Sequence, residues 1–321
     1  MNTLSPNQRR HFVRKRAHTR DPHRIDDIRE NGRGSEPVRP VKLSILMPVL
    51  DEQRTIADAV GAVLSAEYPC EIELIIVDDG STDRTSEILE RLNDPRARVH
   101  RHPRNLGKGA ALQTAATVAT GTHIVPFDAD LEYSPADLAQ MLDPVLGGRC
   151  DVVYGTRLFG AHTMYQSYRH AMGNRIMTLA ANVLFDAYLS DLHTCLKLIP
   201  LELFRSLDLR ENGFGLDTEI TAKILKAGIR PFEVPVTYHS RSYALGKKIT
   251  ARHGIECLRI LARVRFSGGR HVEPVLDQVA RGQVHADEVF DAVPDDVIEA
   301  NFGHRGSEFA HAGGRRESAA G

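Results

Sequence analysis

Several large protein classes are excluded by what this chain lacks. No apolar run approaches the roughly 18–20 residues that a membrane-spanning helix needs. The opening stretch "MNTLSPNQRRHFVRKRAHTR" has no apolar signal core. Net charge is nearly absent: 41 Lys and Arg oppose 42 Asp and Glu, so the chain as a whole is no polycation for nucleic acid. Cysteine is sparse. Cys70, Cys150, Cys195 and Cys257 lie far apart with no CxxC pair, which predicts reduced core thiols in a cytosolic protein rather than a disulfide framework. No internal repeat is visible. What remains is an ordinary soluble composition, 42% apolar and 26% charged, in 321 residues. That length suits one large domain or two small ones.

Three regions are distinguishable. Residues 1–40 are rich in Arg and His and poor in large apolar groups, so a mobile basic arm is expected. Its cluster "RRHFVRKR" reads as a solvated tail or as a contact for an acidic surface. Residues 267–321 are weakly patterned, with a short acidic helix predicted in "HADEVFDAVPDDVIEA". Between them strands and helices alternate. "KLSILMPV", "EIELIIVDDG", "ARVHRH", "THIVPFDAD" and "CDVVYGTR" read as strands. Thr55–Ser65, "STDRTSEILERL" with Ser81 or Thr82 as N-cap, "GKGAALQTAATVA" and "SPADLAQMLDPVL" read as helices. This rhythm predicts an α/β fold with a mostly parallel sheet covered by helices.

Three strands end in acids: Asp51 and Glu52, Asp78 and Asp79, Asp128 and Asp130. In open α/β sheets, ligands bind at the carboxyl ends of the strands. Carboxylates gathered on one rim repel one another unless a cation sits between them. Hard oxygen donors with no His or Cys cluster nearby point to Mg²⁺ or Mn²⁺. The competing reading is that these acids cap turns and helices. "NLGKG", residues 105–109, likewise has two readings: backbone N–H groups facing an anion, or close helix packing.

The ordered series "SILMPVLDE", "IIVDDGSTDRT", "NLGKGAAL" and "FDADLEYSP" resembles the successive motifs of family 2 inverting glycosyltransferases of the GT-A (Rossmann-like) fold. The resemblance continues through "GTR", "DLHTCLKLI", "FGLDTEITAKIL" and "YHSRSYALGKKIT", so it covers about residues 41–266. The nearest branch resembles the polyprenyl-phosphate glycosyltransferases. The resemblance implies that Pro48, Leu50 and Glu52 contact the nucleotide and that Val77 and Asp79 hold base and ribose. Asp128, Ala129 and Asp130 form the DxD motif, with both aspartates as metal ligands, Asp130 catalytic, and Glu132 completing the shell. Arg157, also expected to be catalytic, and Lys197 approach phosphates. Arg241 and Lys247 or Lys248 lie in a loop that closes over the diphosphate.

The acceptor decides the chemistry. A lipid phosphate is already an anionic nucleophile, whereas a hydroxyl needs a base. Asp217 and Glu219 are the candidates for that base, and Asp217 could instead cap its helix. His193 stands where this branch frequently has an acid. "ARHGIECLRILARVRF", residues 251–266, reads as an amphipathic helix. Ile255, Leu258, Leu261 and Ala262 share one arc, flanked by Arg252, Arg259 and Arg263, with Arg265 interrupting the apolar side. Such a helix lies on an anionic bilayer or packs on its own domain. Residues 168–185 also carry apolar excess and border the acceptor site in relatives. The expected function is metal-dependent sugar transfer from a UDP- or GDP-linked donor to a polyprenyl phosphate. The expected location is cytoplasmic, peripheral at the inner membrane face. The rivals are a soluble transferase acting on a small-molecule hydroxyl and a non-catalytic sugar-nucleotide scaffold.

Overall fold

A computed structural model describes residues 40–158, 163–164, 168–240 and 251–268. The expectations for the arm and the tail fall almost wholly outside these residues, as do those for Arg241, Lys247 and Lys248.

The elements run β1 (Lys42–Val49), α1 (Ile56–Ser65), β2 (Glu71–Asp78), α2 (Thr85–Leu89), β3 (Ala97–Arg101), α3 (Lys108–Val118), β4 (His123–Pro126) and α4 (Asp137–Leu146). There follow β5 (Val153–Thr156), β6 (Thr163–Met164), α5 (Tyr168–Phe185), β7 (Lys197–Pro200), α6 (Leu201–Ser206), α7 (Leu216–Lys226), β8 (Phe232–Pro235), β9 (Tyr238–His239) and α8 (Ala251–Phe266). Seven strands form one sheet in the order β3-β2-β1-β4-β7-β5-β8, and β6 pairs with β9 separately. The predicted strands and parallel pairings are found: β1 lies parallel to β2 and β4, and β2 to β3. The sequence reading did not anticipate β7, which runs antiparallel between β4 and β5. Its reversed direction brings its first residue, Lys197, to the rim where β4 and β5 end.

Alternation along β1 sorts the core. Leu43, Ile45 and Met47 pack on one side with Ile56, Val60 and Leu142, while Leu46 packs on the other with Ala111, Ala115 and Ile220. Each such fully buried aliphatic side chain contributes about 1.5–3 kcal/mol. The small residues of α3 let that helix lie close against β1 and β2. Register sets Pro48 opposite Val77 and Val49 opposite Asp78. The Phe127 N–H donates to the Leu46 carbonyl, so Asp79 and Asp128 share one rim. All four cysteines are free thiols. No helix among the described residues is long and apolar enough to cross a membrane.

Candidate active site

Most of the strand-end acids serve turns. Asp51, at φ 54°, accepts hydrogen bonds from the Thr82 N–H at 2.7 Å and the Asp83 N–H at 3.4 Å. Asp78 accepts from the Ser81 N–H at 2.9 Å and from the Ser86 hydroxyl. These bonds hold residues 81–83 in a turn, which corrects the expected N-cap at Ser81 or Thr82. The helix begins at Thr85, whose N–H Asp83 accepts. Asp79 is buried as well as engaged. It accepts from the Leu106 N–H at 2.9 Å, the Gly107 N–H at 2.7 Å and His102 Nδ1 at 2.7 Å.

The "NLGKG" amides therefore do meet an anion, the chain's own Asp79. The close-packing reading holds as well. A Cβ on Gly107, at φ 104°, would lie 2.3 Å from the Asn212 carbonyl oxygen, and one on Gly109 would lie 2.4 Å from that of Glu211.

The loop after β4 is different. Asp128 keeps 23% of its side chain exposed and is held by Lys108, whose Nζ lies 2.8 Å from each carboxylate oxygen. Burial alone would depress the Lys108 ammonium. The charge and hydrogen bond of Asp128, together with the nearby Cys195 and Asp217, outweigh that and hold its pKa well above the usual lysine value. Asp130 is half-buried and accepts the Glu132 N–H at 3.2 Å, across a turn in which Leu131 has φ 60°. Glu132 accepts from the Tyr238 hydroxyl at 2.7 Å. Among the described residues no three His, Cys, Asp or Glu side chains converge as a metal cage, so the expected Asp128–Asp130–Glu132 shell is not assembled. Two neighbouring hard carboxylates still suit Mg²⁺ or Mn²⁺, which characteristically take one or two carboxylates and complete their shell with substrate phosphate oxygens.

The cations expected at phosphates are already paired. Arg157 donates to Asp191 from Nε at 2.6 Å and Nη2 at 2.7 Å, and its guanidinium lies 4.9 Å from the centre of the Tyr238 ring. Burial alone would raise Asp191. The charge and hydrogen bonds of Arg157, helped by Asn174, overcome it and hold the pKa at about 2. Lys197 has no exposed side-chain surface, donates to the Thr194 carbonyl and lies 3.3 Å from Asp217. Arg157 and Lys197 therefore each carry a carboxylate partner from the chain itself. Asp217 is not the N-cap of α7, which is Gly215. Burial would raise the Asp217 carboxyl, but Lys197, Lys108 and His193 lower it. Glu219 is corrected to a scaffold role: it is buried and accepts the Arg210 and Glu211 N–H groups at 2.8 and 2.9 Å. His193 is tied to Asn174 and Thr218, and burial first, then Lys197, lowers its pKa to about 4.

Pro48, Leu50 and Glu52 are half-buried at the end of β1, close to the rim shared with Asp128. Val77 and Ala129 are buried, so their side chains pack in the core. Lys108, Asp191, His102 and Tyr238 were not singled out from sequence. Lys108 alone had a local signal, its position between two glycines at a helix start.

Comparison with known proteins gives the family and the fold. Residues 44–207 match the family described as "Glycosyl transferase family 2". Glycosyltransferase AglD of Haloferax volcanii is 30% identical over 210 residues, 63% of this chain and 34% of that protein. A dodecaprenyl-phosphate galacturonate synthase of Rhizobium johnstonii is 26% identical over 222 residues, 66% of this chain and 63% of that protein. The chain thus spans between about a third and two thirds of these relatives' lengths. Among solved structures, glucosyl-3-phosphoglycerate synthase from Mycobacterium tuberculosis, in complex with uridine diphosphate, superposes with a TM-score of 0.53 at 22% identity. The match covers 71% of this chain and 82% of that one. The same enzyme with Mn²⁺, UDP-glucose and phosphoglyceric acid gives 0.53 at 20% identity, covering 70% and 80%. The fold is the GT-A fold. With a family match over more than half of its length, the chain belongs to glycosyl transferase family 2.

Proposed function

We propose that this enzyme moves a sugar, with inversion, from a nucleoside diphosphate sugar to a polyprenyl phosphate at the cytosolic face of a membrane. The observation that carries the reading is the Asp128–Asp130 loop. Unlike Asp79, Asp128 is partly exposed at the rim and is bound by a single ammonium. Mg²⁺ or Mn²⁺ held by Asp128 and Asp130 would supply charge stabilisation for the departing diphosphate. The remaining roles fall to the chain itself. Pro48, Leu50 and Glu52 border the nucleotide side of the rim. The Arg157–Asp191 pair fixes the floor beside Tyr238 and Glu132. An oxygen of the acceptor phosphate attacks the anomeric carbon, and the bond from that carbon to the nucleoside diphosphate breaks with its electron pair. No proton has to be removed.

Two further observations support an anionic lipid acceptor. Lys197 and Lys108 hold the Asp217 carboxyl low, which makes it a poor general base. The dodecaprenyl-phosphate enzyme among the relatives supplies a precedent for the acceptor class. Membrane contact is supported by α5 and α8, which pack together and expose Ile176, Leu179 and Val183 on one helix and Ile255, Leu258 and Phe266 on the other. Helix α5 contains Arg169 and Arg175 and no acid, and α8 contains Arg252, Arg259, Arg263 and Arg265 against Glu256 alone. Apolar side chains beside arginines suit an anionic bilayer. A screen of UDP- and GDP-linked sugars against polyprenyl phosphate and small hydroxyl acceptors tests the reading. Transfer to the lipid phosphate is expected; transfer to hydroxyl acceptors alone would refute it.

A further inference from the structure

We propose that Lys108 is a built-in counter-ion for Asp128, one that keeps a divalent metal from binding until a nucleoside diphosphate arrives with it. The inference rests on the metal-assisted reading above and adds an order of binding to it.

The placement of Lys108 is over-determined. Gly107 and Gly109 flank it, and each approaches the 211–212 backbone more closely than any Cβ would allow. The Gly107 N–H is spent on Asp79, and the Ala110 N–H on the Asn212 carbonyl. The first residue of α3 therefore has little room to shift, and its side chain reaches both oxygens of Asp128. Next to this pair lies a second, Lys197 with Asp217. Lys108 also lies within electrostatic range of Asp217, so the Asp128 carboxylate sits among two ammoniums that a metal would have to face.

A divalent ion arriving alone would have to displace one ammonium and then sit beside two. Like charges at such range oppose it. The chain offers little in return, since no third carboxylate or imidazole converges there among the described residues. A nucleoside diphosphate changes both conditions. Its oxygens complete the coordination that the protein leaves short, and its negative charge receives the ammonium released from Asp128. Metal and donor then bind as one unit, and the apo enzyme is not trapped as a metal complex.

The test is Mn²⁺ binding to the full chain, followed by calorimetry and by the electron paramagnetic resonance signal of free Mn²⁺. The arms are Mn²⁺ alone, with UDP, and with GDP, for wild type, Lys108→Met and Lys108→Arg. Wild type is expected to bind Mn²⁺ alone at least about tenfold more weakly than with whichever diphosphate it accepts. Lys108→Met removes a charge-assisted hydrogen-bonded pair and is expected to bind Mn²⁺ alone about tenfold or more tightly than wild type, while Lys108→Arg stays near wild type. Wild type holding Mn²⁺ equally well without nucleotide overturns the proposal, and that arm decides even if Lys108→Met fails to fold. A folded Lys108→Met that gains no Mn²⁺ affinity also overturns it. Absence of Mn²⁺ binding in every arm instead defeats the metal reading beneath it.

Discussion

The end of β2 and the end of β4 carry aspartates on the same rim, and the two are treated differently. Asp79 is buried and accepts two backbone amides and an imidazole. Asp128 faces one ammonium and keeps part of its surface in solvent. Asp191 and Glu73 resemble Asp79. Asp191 is bound by Arg157 and Asn174. At the opposite rim, Glu73 is bound by Ser44, Thr120, Gly121 and Arg98. A buried carboxylate bound by several donors of its own chain holds the fold together, because removing one of those donors leaves a costly buried group. A carboxylate left short of partners at a strand end is where a ligand completes the count.

Removing a carboxylate from the β4 loop should produce the largest effect. Asp130→Asn is expected to lower turnover on the order of a thousandfold or more, the worth of several kcal/mol of lost charge stabilisation. Its melting temperature should stay close to wild type. Near-native turnover at saturating Mg²⁺ and Mn²⁺ would erase the distinction between the two strand ends.

An acid of the saturated kind should show itself in acid unfolding. Asp191 titrates at about 2 in the folded protein, below the ordinary carboxylate value of about 4. In that window the unfolded chain binds the extra proton. The contribution is therefore complete above about pH 4 and is lost as pH falls through about 2, amounting to about 2 kcal/mol. Denaturant titrations between pH 5 and pH 2 check this. A slope unchanged in Asp191→Asn would contradict it.

Asp79→Asn sharpens the comparison from the other side. One amide oxygen cannot accept every bond that two carboxylate oxygens do, and the new NH₂ meets a donor. A loss of about 2 kcal/mol is expected, or about 5 °C in melting temperature for a domain of this size. Circular dichroism melts would show it, and an unchanged melting temperature would mean that the three contacts are dispensable.

The smallest effect is expected at Asp217. Transfer to polyprenyl phosphate should fall less than about tenfold in Asp217→Asn, because no base is required. Loss of a general base typically costs on the order of 10²–10⁴-fold. A collapse of that size, with donor binding unchanged, would indicate a hydroxyl-type mechanism.

Much of this layout was readable from the chain. The runs "KLSILMPV" and "EIELIIVDD" are buried strands in sequence and in structure, because parallel strands covered on both faces must be apolar throughout. The motif order located the rim and the Asp128–Asp130 loop. What escaped was set by tertiary partners. β7 is only four residues, "KLIP", and nothing local marks its reversed direction. Arg157 and Lys197 looked available because Asp191 and Asp217, 34 and 20 residues away, could not be placed against them. The Ser81 N-cap failed because Asp78 and Asp51 claimed the turn first. Lys108 was in view, but only the fold shows that it faces Asp128.

Metal dependence of sugar transfer tests the central claim most directly. Wild type, a nucleotide sugar that it accepts and polyprenyl phosphate are assayed in Mn²⁺ and again after chelation with EDTA. The account predicts transfer that disappears on chelation and returns when Mn²⁺ is restored; transfer that continues undiminished in EDTA would contradict it.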